Sequence, residues 1–229
     1  VIRVYFHVYA DGAWVQPTQE FLDALATITE PFALTVGVVG EEHNRARVRL
    51  AFPNAAAWVE ADGGWEQVTL TKLWMDARNH DDPILYAHTK GAANQGPINH
   101  AWRTSMIRHV VRGWGNCLDR LATVDAVGCH WLTRERYPRY ILVPIFGGNF
   151  WWATARFIRT LPPLERNTRW DAEGWIGLGD PTTYDLISGW PSFRRFRKAK
   201  HLGGRPKKPV PNGHDHYRRY CNRTARKGN

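Results

Sequence analysis

The 229-residue chain has little cysteine, little methionine and no long apolar run, and each scarcity excludes something. Three cysteines, Cys117, Cys129 and Cys221, are widely spaced and odd in number, so neither a disulfide framework nor a cysteine-based zinc site is indicated. No stretch approaches the roughly 20 apolar residues of a membrane-spanning helix. The opening "VIRVYFHVYA" lacks the charged start and small-residue end of a secretory leader, which gives the expectation of a cytoplasmic protein. No repeat period emerges. Acidic residues are nearly missing from one place only. From Ser192 onward there are 13 Lys/Arg against one acid, Asp215, giving +12, while residues 1–191 hold 18 against 20, giving −2.

The net charge of +10 therefore belongs to the tail, and the body is nearly neutral. The expected organisation is one domain over residues 1–191 with a basic extension over 192–229. A hydrophobic fraction of 43% suits a globular core.

Strand and helix signals alternate along the first third of the body. "VIRVYFHVYA" is β-branched and aromatic. "TQEFLDALATI" places Phe21, Leu22, Leu25 and Ile28 at helical spacing behind Thr18 as a cap. "FALTVGVVG" is a second apolar strand, "GWEQVTLTKLWMDARNH" a second helix, and "PILYA" a third strand. Alternation without a hairpin turn predicts a mostly parallel α/β sheet, whose ligands sit beyond the carboxyl ends of the strands. Further on, "INHAWRTSMIRHVVRGWGNCLDRLA" reads as helix broken at Gly113 and Gly115, and "DAVGCHWL" as a short strand. "YILVPIFGGNFWWATARFIRTLPP" reads as a strand entering a helix through a Gly-Gly-Asn turn. "RWDAEGWIGLGDP" opens a short helix near Asp171.

The stretch "ILYAHTKGA" ends its strand in His88, Thr89 and Lys90. Cations at a strand's carboxyl end suit an anionic ligand. Lysine acts on phosphate as a point charge, and histidine supplies a hydrogen bond or a charge. Arg103, in "AWR", adds a bidentate fork for the same anion. The competing reading is a satisfied core histidine and a solvated loop lysine.

Taken in order, "GWEQVTL", "LYAHTKG", "AWR", "DAVGC", "FGGNFWWA" and "RWDAEGWIG" resemble a bacterial and phage group of glycosyltransferases, and "HTK" followed by "WR" also resembles the rhamnan-synthesis protein F group. The resemblance covers roughly residues 1–180. It implies a GT-A-like fold, with a Rossmann-like mostly parallel sheet flanked by helices, and transfer of a monosaccharide from a nucleoside diphosphate sugar such as a UDP-sugar to a glycan or protein hydroxyl. In most such enzymes an Asp-x-Asp after this strand holds a divalent cation. His88-Thr89-Lys90 replaces it, so the expectation is no required cofactor, although a divalent cation such as Mn is compatible with the activity.

On that reading His88, Lys90 and Arg103 bind the donor diphosphate and Glu66 contacts its base or ribose, unless Glu66 only serves the first turn of its helix. Gly148 and Asn149 place sugar hydroxyls, and Trp151 and Trp152 either stack on sugar or fill the core. Glu173, or second Asp171, is the base for an inverting transfer; the plain alternative is a helix cap at Asp171 and an Arg169 ion pair at Glu173. Asp76, Asp81 and Asp82 precede the strand and belong at its opposite end. The tail "GGRPKKP" resembles a minor-groove Gly-Arg-Pro segment, and "HDH" at 214–216 has two metal-binding side chains; an acidic surface or nucleic acid is the tail's expected partner. A non-catalytic nucleic-acid-binding protein is the alternative to the enzyme.

Overall fold

A computed structural model describes residues 1–137, 141–164 and 168–188; the basic extension from Ser192, with Cys221 and the His214–His216 pair, lies outside them. Four strands open the sheet: β1 (Ile2–Tyr9), β2 (Phe32–Val39), β3 (Ala57–Ala61) and β4 (Pro83–His88). Between them run α1 (Val15–Leu25), α2 (Glu42–Ala51) and α3 (Gln67–Asp76). The second half holds α4 (Pro97–Met106), a π-helical turn at Ile107–Val111, and α5 (Trp114–Leu121). It continues with β5 (Ala126–Gly128), β6 (Trp131–Leu132), β7 (Ile145–Phe146) and β8 (Trp151–Thr154). Last come α6 (Ala155–Ile158), α7 (Arg169–Gly174) and β9 (Thr183–Asp185).

Seven strands form one sheet in the order β3-β2-β1-β4-β8-β5-β9, and β6 pairs with β7 in a separate ribbon. Every neighbour pair in the large sheet is parallel except those of β8, which runs antiparallel to β4 and β5. The expected sheet, mostly parallel and flanked by helices, is thus what the chain forms. From β1 the chain winds outward through β2 and β3, then returns to place β4 on the other side of β1. That reversal is a topological switch point, and ligand crevices in open α/β sheets form outside the carboxyl ends of strands at such points.

Period-two alternation sorts the side chains of the central strands onto two faces. Val4, Phe6 and Val8 of β1, with Leu85 and Ala87 of β4, are buried under α1, the π-helical turn and α5. Phe6 stacks on Phe21 of α1 with centroids 4.0 Å apart. Tyr5 and Tyr86, on the other face, pack with Trp151 under Leu70 and Leu73 of α3 and under Ala172 and Trp175. Each side is closed by apolar helix stripes, which is why the strands read as near-continuous hydrophobic runs.

Two local expectations change, and one helix forms where the sequence reading named none. The first helix begins at Val15, ahead of Thr18, whose buried hydroxyl has no hydrogen-bond partner and caps nothing. "EHNRARVRLA" forms α2 although its face is mostly charged: Arg45 and Arg49 pair with Glu42 and Glu60, and Arg45 also pairs with Asp62. The Gly-Gly-Asn turn leads into strand β8 before the helix, because "WWAT" pairs with β4 and β5 on both edges and only Ala155–Ile158 becomes helical.

Candidate active site at the carboxyl end of strand 4

The register of β1 and β4 sets a buried His7 beside a largely buried His88 on the α3 side of the sheet. His7 bonds Thr69 of α3 through Nδ1, 2.8 Å from the hydroxyl. That contact needs a close approach of α3 to β2, and it has one: a Cβ on Gly37 would lie 1.8 Å from the Thr69 hydroxyl. Burial pushes the His7 pKa down to about 4 and that of His88 to about 3, the latter helped by the charge of Lys90. Both shifts favour the neutral ring at pH 7, against the pull of the Glu66 carboxylate on each. His88 Nε2 lies 2.9 Å from the Gly148 carbonyl, which only accepts, so Nε2 carries the proton and Nδ1 turns to Glu66 at 3.5 Å.

Glu66 stands at the N-terminus of α3, but its side chain makes no cap hydrogen bond. The carboxylate points inward instead, taking the Tyr86 hydroxyl at 2.7 Å and the Asn149 amide at 2.6 Å. Asn149 in turn accepts the Trp151 indole N–H at 2.8 Å, and Trp151 stacks on Tyr86 at 5.0 Å. These four residues close a ring of contacts that fastens the Gly-Gly-Asn turn to β4. The turn requires its residues: Gly148 has φ +95°, and a Cβ there would sit 2.4 Å from the Met106 sulfur, while Asn149 adopts φ +57°, a conformation asparagine tolerates best. Asn149 is 1% exposed with its amide committed to Glu66 and Trp151. Trp151 and Trp152 are both 0% exposed, and Trp152 donates to the Val110 carbonyl in the π-helical turn, so neither ring offers a face to a sugar.

Lys90 is different. Only 7% exposed, its ammonium makes no hydrogen bond or ion pair with any described residue and rests 4.4 Å from the centroid of the Trp102 ring. An ammonium taken from water costs several kcal/mol. A partly desolvated cation–π contact returns about 2 kcal/mol of that. Burial lowers the Lys90 pKa, opposed by the field of Glu173 and, more weakly, of Glu66. Lys90 and Glu173 are thus near enough to influence one another, yet they form no ion pair.

Glu173, 8% exposed on α7, takes the Arg169 Nε at 2.9 Å on Oε1, and its Oε2 accepts no hydrogen bond among the described residues. Asp171 is the helix cap partner, holding the Thr168 hydroxyl while its own N–H donates to Thr168 Oγ1 at 3.3 Å. Gln67 of α3 reaches the Thr168 carbonyl, joining the starts of α3 and α7. Arg103 is 4% exposed and fully engaged: Nε and Nη2 contact Glu20 at 2.7 and 3.0 Å, Nη2 also meets His100 at 3.0 Å, and Nη1 donates to the Lys90 carbonyl at 2.8 Å.

Of the residues expected from sequence, the fold gathers His88, Lys90, Glu66, Gly148, Asn149 and Glu173 at one end of β4. It puts Trp151 and Trp152 in the core behind them, sets Asp171 at the α7 cap and turns Arg103 toward Glu20. His7, Tyr86, Thr69 and Glu20 join the site unannounced. The β1 alternation that sends His7 to the same face as Tyr5 was the available signal for His7; nothing in the sequence linked Glu20 to Arg103. A cavity of about 450 Å³ lies at the opposite end of the strands, lined by Val1, Ile2, Pro31, Pro83, Trp114 and Leu118 among others, and touches none of these groups.

Residues 12–177, which carry all of this geometry except β1 and β9, match the family model described as "Domain of unknown function (DUF8361)". The chain belongs to that family. No curated protein matches the sequence. Solved structures similar to this DUF8361 chain include a protein from Desulfovibrio desulfuricans G20 described as a nucleotide-diphospho-sugar transferase, at 11% identity, covering 99% of this chain and 97% of that one with a TM-score of 0.48. The mannosyltransferase PcManGT of Pyrobaculum calidifontis, solved with GDP-Man and Mn2+, is 14% identical over 90% of this chain and 65% of its own, with a TM-score of 0.44. A 4-diphosphocytidyl-2C-methyl-D-erythritol synthase of Anaerococcus prevotii is 7% identical over 96% and 98%, with a TM-score of 0.46.

Divalent cations are common where nucleotide diphosphates are handled. Hard cations take oxygen ligands. Here the strand ends in a neutral, hydrogen-bonded imidazole and an ammonium, and no group of three or more His, Cys, Asp or Glu is gathered among the described residues. Asp81 and Asp82 sit at the start of β4, bonded to Arg159 and Arg3. No described helix is long and apolar enough to cross a membrane.

Proposed function

We propose that this chain is a glycosyltransferase that moves a monosaccharide from a nucleoside diphosphate sugar to a hydroxyl of a glycan or protein, with residues 1–191 as the transferase domain and 192–229 as a basic extension. The observation that carries the reading is Lys90, a lysine 7% exposed whose ammonium has no acceptor among the described residues, placed beside a switch point of the sheet. Such a charge is costly when left alone and favourable against a diphosphate.

The acceptor oxygen attacks the anomeric carbon, the bond from that carbon to the diphosphate oxygen breaks, and the nucleoside diphosphate leaves with the bonding pair. Lys90 neutralises the charge that grows on the leaving group, the kind of preorganised stabilisation that carries much of a barrier reduction. The proton of the acceptor hydroxyl passes to Glu173 Oε2, the unspent oxygen of the pair with Arg169. Asp171, spent on its cap, is the second choice. Attack from the face opposite the leaving group inverts the anomeric centre. His88 acts as a neutral donor that fixes the Gly148 carbonyl. Sugar hydroxyls meet the backbone of the Gly147–Asn149 turn, with the Asn149 side chain holding that turn in shape. No step runs through a metal.

The test is calorimetric titration of UDP, GDP, CDP and TDP into the protein with chelator and then with manganese. Selective binding in chelator, weakened at least about tenfold by Lys90→Ala, is the expected result. Binding confined to manganese overturns the metal-free site, and no binding to any of the four overturns the transferase reading.

A further inference from the structure

Lys90 owes its position to a turn, and the turn is held from outside the site. Thr89 N–H donates to the His7 carbonyl at 2.9 Å, and the Tyr9 N–H donates to the Thr89 hydroxyl at 3.0 Å. Those bonds anchor the strand end but leave the Lys90 carbonyl to be satisfied elsewhere. Arg103 supplies that bond from α4, and a Cβ at the adjacent Gly91, φ +88°, would lie 3.2 Å from the same guanidinium nitrogen. The guanidinium is itself a cation that needs a carboxylate when buried. Glu20 of α1 neutralises it by a two-pronged contact, with its own side chain 25% exposed. The net result is a turn in which Arg103 is paired directly with a carboxylate, while Lys90 has no ion-pair partner among the described residues.

We propose that Glu20 and Arg103 are positioning residues that act through the Lys90 turn, holding the ammonium in place and leaving it as the charge without an ion pair. The proposal rests on the reading of Lys90 as the diphosphate ligand, and it separates from a direct role for Arg103. Were Arg103 itself a diphosphate ligand, loss of Glu20 would free the guanidinium and leave binding intact or tighter. Acting as a brace, it transmits the loss of Glu20 to Lys90, and only through Lys90.

The experiment is a double-mutant cycle on the full chain with Glu20→Gln, Lys90→Ala and the pair, each titrated with UDP, GDP, CDP and TDP in chelator. Glu20→Gln is expected to weaken the nucleotide that binds the wild type by about tenfold, and to change affinity less than twofold once Lys90 is alanine. Arg103→Lys, which keeps the charge but not the fork, is expected to follow Glu20→Gln. Unchanged or tighter binding in Glu20→Gln, or an equal loss in both backgrounds, overturns the brace. Amide exchange at Ala92, whose N–H donates to the Thr89 carbonyl, provides a second readout that needs no ligand. It is expected to speed up in Glu20→Gln about tenfold while the β1 amides stay protected, and unchanged exchange overturns the brace. If the wild type binds none of the four nucleotides, the diphosphate reading fails while amide exchange still decides the brace.

Discussion

A lysine at the end of a strand is visible in any sequence, but whether it is spent or available depends on neighbours that sequence does not reveal. Lys90 is available, and its titration gives that statement a test. Burial lowers its pKa in the free protein, and a bound diphosphate raises it again, so binding takes up a proton. Affinity therefore falls as pH rises above the free-site pKa, by up to about tenfold per pH unit. Lys90→Arg keeps its charge throughout and is expected to flatten the profile. Titrations in two buffers of different ionisation enthalpy, carried up to alkaline pH, measure the proton uptake directly, and a profile that stays flat through pH 10.5 would remove Lys90 from the anion site. His88 shows the converse. Its residue type suggested a cation, yet with Nε2 donating to a carbonyl and most of the ring out of water, its pKa is pushed down toward the neutral form.

The elements were legible where one face of each had a clear period, and illegible where a few contacts decided. The alternating strands and helices of the first third stood out because their apolar residues recur at the spacing of a buried face. The direction of β8 did not, since "WWAT" is short and apolar enough for strand or helix, and pairing on both edges settles it. The same is true of the Gly-Gly-Asn turn. Its glycines and asparagine announced a special backbone, but the ring of Tyr86, Glu66, Asn149 and Trp151 that uses it joins residues up to 85 positions apart. The side chain expected to meet sugar turns out to anchor the element that would. Asn149→Ala leaves the Glu66 carboxylate and the Trp151 indole each short of a partner and forces alanine into a positive φ. A loss of about 2–4 kcal/mol in unfolding free energy is expected, read from the urea midpoint at unchanged slope.

At the scale of the whole molecule, the carboxyl end of the sheet is dominated by groups that must stay neutral or paired, and this sets how the protein responds to acid. His7 and His88 lie side by side across the β1–β4 seam with pKa values pushed to about 4 and about 3, against about 6.5 in an unfolded chain. Below pH 6.5 the unfolded chain binds protons that the folded protein refuses. The stability these rings contribute is complete above that pH and is lost progressively as pH falls toward 4 and then 3. Each ring contributes a slope of up to about 1.4 kcal/mol per pH unit, and the two together up to about twice that. The paired carboxylates of Glu20 and Asp82, whose pKa values are lowered in the folded protein, lose their contribution only at lower pH. Between pH 6.5 and 5 the histidines therefore dominate. Urea unfolding at steps through that interval is expected to show a steep fall, made shallower in His7→Asn, which keeps a polar partner for Thr69 but has no proton to take up. An unchanged slope in that variant would mean that His7 is not held neutral by burial, and that the seam between β1 and β4 admits water where the packing of α3 through Thr69 closes it.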